Sequence, residues 1–167
     1  MARSVVVTFG LLVRGRVRSP RQRVGALLTL PDGARSVVFR ETRIEGPRRE
    51  RLAVLIVEFR LRLLGPSHRF LHWLFRVGSV INTPLFAGFP GFRAKLWMVD
   101  VGTGGYRGLY QWDGDRLAGA YASALAKILR PLSVRGSVRY RVTPDKRLDS
   151  YVEALRHTGQ QVAATSA

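Results

Sequence analysis

Residues 88–100 read GFPGFRAKLWMVD and residues 103–112 read TGGYRGLYQW. Both segments are rich in aromatic and branched residues, and the glycines between them suit a tight turn, so the stretch predicts an antiparallel hairpin. One face of its first strand is apolar and should pack against a helix: Phe92, Ala94, Leu96 and Met98. The opposite face combines two cations with an indole, and it suits the wall of a binding cavity: Arg93, Lys95, Trp97 and Val99.

The sequence before this hairpin predicts a β extension. Residues 4–13 are rich in valine and predict a strand, whereas the arginine-rich residues 14–23 predict a connector. Residues 24–30 and 34–44 flank a Pro-Asp-Gly sequence, whose Asp-Gly pair favours a hairpin turn.

Three segments lie between this extension and the opening hairpin. Residues 53–63 alternate apolar and polar side chains, as a strand with one buried face does. Residues 68–82 carry apolar side chains at helical spacing, and the proline-containing residues 83–90 predict an apolar loop.

After the hairpin, a second helix is predicted from a cap at Asp113 or Asp115 to residue 130. Its expected buried stripe consists of Leu117, Tyr121, Ala124, Leu125 and Ile128. A last strand is predicted over residues 137–142. A final helix opens at residues 143–144 and should end before Gly159.

From residue 53 the predicted order is strand, helix, strand, strand, helix, strand. This is the ferredoxin-like βαββαβ unit of the α+β class, with both helices on one face of an antiparallel sheet. We therefore expect a partner to cover the bare face, either a second subunit or the N-terminal hairpin. The predicted division is an N-terminal β-hairpin extension at 1–50, the ferredoxin-like domain at 51–143, and a C-terminal helix with a flexible tail at 144–167.

Composition narrows the class of protein. The formal charge is +17, from 28 basic and 11 acidic residues spread along the chain. There is neither a basic stripe with interleaved aromatics nor a known motif, so no specific nucleic-acid partner is predicted. The absence of cysteine excludes disulfides and thiolate catalysis and fits a cytoplasmic protein. Arg76 and Pro84 interrupt the apolar run between residues 70 and 89, so no membrane span is predicted.

Two sets of residues on the hairpin are candidates for chemistry. Lys95, with a pKa lowered by burial, can stabilise an enolate or phenolate beside Trp97; alternatively it forms a structural ion pair with Glu58. Four aromatic residues should share a face, where they either stack on a flat substrate or seal a dimer interface: Trp97, Tyr106, Tyr110 and Trp112.

The first predicted helix offers weaker candidates. His68 and His72 are four residues apart, but no third ligand has suitable spacing, so no metal site is predicted. His72 is a candidate general base if its helix face lines a cleft, and otherwise it belongs to a solvated face. Asn82 either binds a substrate carbonyl or caps the helix.

The segments GFRAKLW (91–97) and YRGLYQW (106–112), followed by a helix rich in alanine and tyrosine, resemble the dimeric α+β barrel superfamily. The likeness is to its antibiotic-biosynthesis monooxygenase-like branch, in which a G-(F/L)-x-x-K-x-W strand precedes a G-(I/L)-Y strand. It covers residues 53 to about 142. It implies a homodimer with a cavity between the sheet and its helices. Members include cofactor-independent oxygenases, haem-degrading enzymes, polyketide cyclases and proteins without an established reaction.

The sequence thus predicts a small-molecule tailoring enzyme for a hydrophobic aromatic or polyketide-like substrate, acting by cofactor-independent oxygenation or related proton-transfer or cyclisation chemistry. The aromatic residues, with Asn82 and Glu58, would hold the substrate. Lys95 or Arg93 would stabilise the oxyanion and His72 would act as a base. The alternatives are a non-catalytic ligand-binding or structural dimer of the same fold, and haem binding or degradation.

Overall fold

The structure is a computed structural model that describes residues 17–46, 51–62 and 89–165, with side chains to residue 157. Its strands are β1 (Val17–Arg18), β2 (Leu27–Thr29), β3 (Arg35–Ile44), β4 (Ala53–Phe59), β5 (Phe92–Asp100), β6 (Tyr106–Trp112) and β7 (Arg139–Pro144). Its helices are α1 (Asp115–Leu132) and α2 (Leu148–Thr165). The predicted strand at 4–13, the helix at 68–82 and most of the loop at 83–90 lie outside the described residues.

The described strands form one antiparallel sheet in the order β1-β3-β5-β6-β4-β7, with β2 paired to β3 off this path. The run β7-β4-β6-β5 places the first and last strands of the predicted βαββαβ unit side by side. The hairpin partners β5 and β6 are also adjacent. The α+β class and the ferredoxin-like sheet are therefore confirmed.

The N-terminal strands extend this sheet. The predicted hairpin of β2 and β3 is confirmed, with Gly33 in the turn at a φ of 79°. β3 pairs along most of β5, so the extension continues the sheet of the main unit. Residues 14–23 were expected to be only a connector, but Val17 and Arg18 form the short strand β1 against the end of β3.

The two helices lie on opposite faces of the sheet. α1 packs on the face that carries Leu55, Trp97 and Tyr110, which we call the lysine face because Lys95 also lies on it. α2 packs on the face that carries Leu96 and Met98. The expectation that the Leu96 face would receive the helices of the βαββαβ unit is thus wrong for α1. The sequence predicted that one face of the sheet would be left uncovered by helices and would need a partner. Because α2 packs on the face opposite α1, it covers part of that area itself.

A β-bulge at Arg93 corrects the predicted face of Phe92. Phe92 pairs with Trp112 while Ala94 pairs with Gln111, so one extra residue of β5 stands between the two pairs. Phe92 consequently packs among the lysine-face residues, whereas Ala94 packs on the α2 face. Regular alternation from residue 92 to residue 98 was therefore the wrong assumption.

Several element ends also differ from the prediction. β4 stops at Phe59, and Leu61 forms an isolated bridge with Ser133. The N-cap of α1 is Gly114 at a φ of 87°, without a side-chain cap, because the carboxylate of Asp113 binds Arg93 instead. Ile128, predicted to be buried, is 41% exposed. α2 begins at Leu148 and continues through Gly159 to Thr165.

Candidate functional site

Lys95 lies in the middle of β5 with only 5% of its surface exposed. Its cross-strand neighbours are Thr42 on β3 and Tyr110 on β6, so the residue belongs to an interior strand on both sides. Directly paired residues of an antiparallel sheet point to the same face, and all three therefore lie on the lysine face. Two neighbouring strands thus hold the backbone of Lys95 in place.

The amine of Lys95 is held between two aromatic rings. Its Nζ lies 3.0 Å from the ring centroid of Trp97 and 4.6 Å from that of Tyr110. Trp97 is the next residue on this face of β5, and the ring of Tyr110 lies over Gly108, which has no side chain to displace it. Aromatic faces attract an ammonium group, so these rings stabilise the protonated form of the amine.

Burial nevertheless controls the protonation of this amine. Burial lowers the pKa of Lys95 well below its usual 10.5, and the positive charge of Arg40 lowers it further. The guanidinium carbon of Arg40 lies 5.8 Å from the Trp97 ring centroid, on the side of β3. The pKa of Lys95 therefore favours a neutral amine over a wider range of pH than in an exposed lysine, and a neutral amine can accept a proton.

Tyr121 of α1 completes the aromatic surroundings. It hydrogen-bonds to Tyr110, and their ring centroids are 5.5 Å apart. Burial raises the pKa of both phenols above 10.0, so both remain protonated at neutral pH. Tyr121 was predicted only as a packing residue. Sequence reasoning missed its contact with Tyr110 because that contact depends on which face of the sheet α1 covers.

Some buried polar atoms on the same face have no hydrogen-bond partner in the part of the chain that the structure describes. They include the hydroxyl oxygen of Thr42 and the indole Nε1 of Trp112. Thr42 pairs directly with Lys95, and Trp112 stacks at 4.7 Å against Tyr121. Buried polar groups are normally satisfied, so both atoms are candidates for binding the polar atoms of a ligand, although both residues are fully buried.

The predicted aromatic face is confirmed. Trp97, Tyr110 and Trp112 share one core cluster. Tyr106 lies towards its far end, where its ring is 6.5 Å from Phe39 and 5.9 Å from Phe59. Phe39 in turn lies 6.4 Å from Trp97, so a continuous chain of rings runs along the lysine face.

Two other predicted site residues have partners away from Lys95. Arg93 binds both carboxylate oxygens of Asp113 at 2.8 Å. Glu58 belongs to the α2 face and lies 3.7 Å from Arg107, so its predicted ion pair with Lys95 does not form. His72 and Asn82 lie outside the described residues.

Two of the cavities formed by described residues lie away from the lysine face, since neither is lined by Lys95 or Trp97. Their volumes are about 570 and 460 Å³, and both lie where β4 ends and β7 begins. No group of three metal-binding side chains occurs among the residues placed by the structure. In that same part of the chain, neither helix combines the length and apolarity needed to cross a bilayer.

No family model matches the chain, and no curated protein is significantly similar to it. Among solved structures, a ferredoxin-fold protein from Listeria monocytogenes related to antibiotic biosynthesis monooxygenases is 11% identical. It covers 79% of this chain and 93% of its own, with a TM-score of 0.46. The haem-degrading enzyme LmHde of the same organism is 12% identical, covering 78% and 97%, with a TM-score of 0.47.

A major regulator of staphylococcal pathogenesis is 11% identical, covering 71% of this chain and 72% of its own, with a TM-score of 0.48. These three proteins have different described roles, and the first bears the family description that residues 53–142 resemble. At such identities and scores the likenesses carry no argument about function.

Proposed function

We propose that this chain is a small-molecule tailoring enzyme that deprotonates a hydrophobic aromatic or polyketide-like substrate at Lys95. The observation that carries the proposal is the buried amine of Lys95 between the rings of Trp97 and Tyr110. Burial removes the water around the amine and disfavours its charged form, so the pKa of Lys95 is lowered. Such a group can act as a general base at a lower pH than an exposed lysine can.

The proposed step is a proton transfer. The neutral amine of Lys95 takes the proton of a substrate phenol, enol or activated CH group, and the resulting ammonium pairs with the phenolate or enolate. The faces of Trp97 and Tyr110 stabilise the ammonium, and burial strengthens its attraction to the anion. In the oxygenation branch, the enolate carbon reduces dioxygen and bonds to it as a peroxide, which takes the proton back from the Lys95 ammonium and loses water to leave a new carbonyl. In the cyclisation branch, the enolate carbon attacks an internal carbonyl, and the alkoxide formed takes the proton from the ammonium.

Other groups on the lysine face bind the substrate in this proposal. Trp97, Tyr110 and Trp112 are the aromatic residues that would contact the ring system of the substrate, and the Thr42 hydroxyl can donate to its oxygen atom. Tyr106 extends the surface outward. Arg93 and Glu58 have no role here because Asp113 and Arg107 engage them. His72 and Asn82 stay predictions.

The test uses anthrone, a hydrophobic tricyclic ketone whose enol is a phenol. In deuterated buffer the chain should accelerate exchange of the anthrone methylene protons, followed by proton NMR. Lys95→Met should reduce the accelerated rate by about a hundredfold or more, since general-base catalysis contributes on that order. Lys127→Met, at an exposed position of α1, is the matched control and should leave the rate unchanged. Equal exchange rates with K95M and with the unchanged chain would refute the proposal.

Oxygen consumption with the same probe separates the two branches. An oxygenase consumes oxygen with anthrone, and K95M consumes none above the uncatalysed rate. A cyclase leaves oxygen untouched while it still exchanges the methylene protons. Because both branches begin with the same proton transfer, the exchange test applies to either.

The homodimer expected from the sequence is also part of this proposal. Its original reason is weaker, because α2 packs over Leu96 and Met98 on the face that a second subunit would have covered. The strand β7 offers a different contact, since it is the last strand of the described sheet order and carries the exposed side chain of Tyr140. Native mass spectrometry at neutral pH should give twice the 18.7 kDa chain mass. A spectrum of monomer alone would remove this part of the proposal.

A non-catalytic ligand-binding or structural protein is the second candidate, since aromatic rings and a buried amine also suit simple binding. It predicts tight binding of anthrone without proton exchange. Haem binding or degradation is a third, and titration with haemin decides it: a shifted Soret band supports it and an unshifted band removes it.

A further inference from the structure

The larger cavity lies away from Lys95, at the end of the sheet where β4 stops and β6 and β7 begin. Its volume is about 570 Å³, within the range of small-molecule sites. Four arginines line it, Arg60, Arg107, Arg135 and Arg139, and two carboxylates do so as well, those of Asp32 and Glu58. The cavity is therefore rich in positive charge.

Both carboxylates that line the cavity lie close to Arg107. Arg107 binds the two oxygens of Asp32 at 3.1 and 2.9 Å and lies 3.7 Å from Glu58 and 3.5 Å from Asp100. Burial opposes its charge, but these acidic neighbours outweigh burial and raise the pKa of Arg107. The charge of Arg107 is thus balanced within the protein.

The other three arginines have no such balance. Arg60, Arg135 and Arg139 form no ion pair within 4.0 Å with any residue that the structure describes, and Arg139 lies opposite Glu58 in the β4–β7 pairing. A guanidinium presents a planar fork of donors that matches carboxylate and phosphate groups. Three of them around one cavity outnumber its two carboxylates, which both lie near Arg107, and they attract an anion.

Backbone contacts fix the positions of two of these arginines. The backbone N–H of Arg60 donates to the hydroxyl of Ser137 at 3.1 Å, and the N–H of Val134 donates to the carbonyl of Arg60 at 2.7 Å. The Ser137 hydroxyl donates to the carbonyl of Val134 at 2.7 Å. Arg135 lies inside this turn, which ties the end of β4 to the segment before β7. The cavity rim is therefore built on a cross-linked backbone.

Two aromatic residues also line this cavity. Phe59 and Tyr106 both line the cavity, and their rings are stacked with centroids 5.9 Å apart and planes at 27°. Tyr106 is 3% exposed, whereas Phe59 is only partly buried, so the ring of Phe59 supplies the apolar surface of this cavity. A ligand that uses both features has a ring and an anionic group within a few bonds of each other.

We propose that this cavity binds a small aromatic anion, with its phosphate or carboxylate held by Arg60, Arg135 and Arg139 and its ring against Phe59. This site is separate from Lys95 and stands independently of the proton-transfer proposal. Phosphate and carboxylate share the same recognition by guanidinium groups, so the test includes one ligand of each kind.

The test is isothermal titration calorimetry of the full chain with four probes: phenyl phosphate, benzoate, inorganic phosphate and phenol. Phenyl phosphate or benzoate should bind saturably and at least about tenfold tighter than inorganic phosphate and phenol, because only the first two carry both a ring and an anionic group. The stronger of the two identifies the preferred anionic group. No saturable binding of either, or equal binding of phenyl phosphate and inorganic phosphate, would overturn the proposal.

Charge-matched variants separate the cavity from the overall charge of +17. The double variant Arg135→Gln with Arg139→Gln removes two cavity guanidiniums, and Arg116→Gln with Arg147→Gln removes two exposed arginines that do not line it. The first pair should weaken the preferred probe at least about tenfold, whereas the second should change it less than about twofold. Equal weakening by both pairs means attraction by bulk charge alone and contradicts the site. Arg60→Gln, a single change, provides an independent check if the first pair unfolds.

Discussion

At the scale of single residues, the contact between Lys95 and Tyr110 depends on Gly108, because a glycine has no side chain in the space that the Tyr110 ring occupies. A Cβ added at Gly108 would lie 2.6 Å from Cε2 of Tyr110 and 3.0 Å from its Cζ and hydroxyl oxygen. Gly108 therefore leaves the space in which the Tyr110 ring lies beside the Lys95 amine. Its importance is steric, since its φ does not fall in the left-handed region.

Gly108→Ala should lower the free energy of unfolding by about 1–3 kcal/mol, the range of overpacked cores. Gly119→Ala is the control with the same chemical change. Gly119 lies inside α1 and an added Cβ meets nothing within 4 Å, so this variant should gain about 0.5–1 kcal/mol from helix propensity. Urea unfolding at neutral pH measures both, and shifts of the same sign would contradict the packing argument.

The sequence was informative at this scale where a property is local. Alternation along β6 correctly predicted that its tyrosines and Trp112 share a face, because side-chain direction in a regular strand repeats every two residues. The partner of Lys95 was not predictable in this way. Glu58 was a plausible partner by charge, but only the strand register shows that it lies on the other face, beside Arg107.

At the scale of elements, the bulge at Arg93 sets where the lysine face begins. The bulge moves Phe92 onto the α1 side, and the guanidinium of Arg93 binds Asp113 just before α1. Both side chains are largely buried, at 18% and 14% exposure, so this contact is not an ordinary surface ion pair. Arg93 therefore links the irregular part of β5 to the start of α1.

A double-mutant cycle with Arg93→Met and Asp113→Asn tests this link. Each single change should destabilise the protein, and the coupling energy should be about 1–2 kcal/mol, as for a well-formed charged pair in a partly buried site. Thermal or urea unfolding of the four proteins supplies the cycle. Additive effects, with no coupling beyond error, would mean that the pair does not hold the bulge.

The fold class was predictable from element order, but the placement of α1 was not. Both faces of β5 carry large side chains, so its pattern alone does not say which face a helix covers. That choice follows from the matching faces of β4 and β6, where Leu55, Tyr110 and Trp112 meet Tyr121. The bulge at Arg93 was not predictable either, because one extra residue in a strand leaves no clear signal in the sequence. It places Phe92 on the lysine face, where regular alternation had predicted the opposite face.

At the scale of the whole molecule, charge links α2 to the N-terminal strands. Asp149 of α2 accepts hydrogen bonds from Arg43 at 2.7 Å and from Arg23 at 2.8 Å, and both arginines also bind the buried Glu41. Burial opposes ionisation of Asp149, but these two arginines outweigh it and lower its pKa below the usual 3.8. These ion pairs therefore hold α2 against the sheet face that carries Leu96.

Acid should therefore weaken these ion pairs and lower the free energy of unfolding. Because the folded pKa of Asp149 lies below the unfolded value, its contribution is present above about pH 4 and is lost as the pH falls through the folded pKa. Asp149→Asn should be less stable than the unchanged chain at pH 6 and should approach it near pH 2. Unfolding midpoints across this range measure the difference, and a difference that stays constant with pH would contradict the contribution of these ion pairs.

Burial of Lys95 should affect the free energy of unfolding at the alkaline end of the pH range. In the unfolded chain its pKa is near 10.5, and in the folded chain it lies well below that value. Between the two pKa values the unfolded state binds a proton that the folded state lacks. The Lys95 contribution to the free energy of unfolding then rises with pH, by at most about 1.4 kcal/mol per pH unit. Lys95→Met should remove this rise when its pH profile is subtracted from that of the unchanged chain. Parallel profiles would contradict burial of a neutral amine.

The most direct test of the central claim is the titration of Lys95 itself. The chain has three lysines, Lys95, Lys127 and Lys146, so selective ¹³Cε labelling gives a simple NMR spectrum, and Lys95→Arg identifies the signal that disappears. The groups facing the amine are Arg40, Tyr110 and Tyr121, and the two phenols stay neutral through the relevant range because burial raises their pKa values. We predict a midpoint for Lys95 well below 10.5. A midpoint at or above 10.5 would mean that the amine stays charged and would contradict its role as a base.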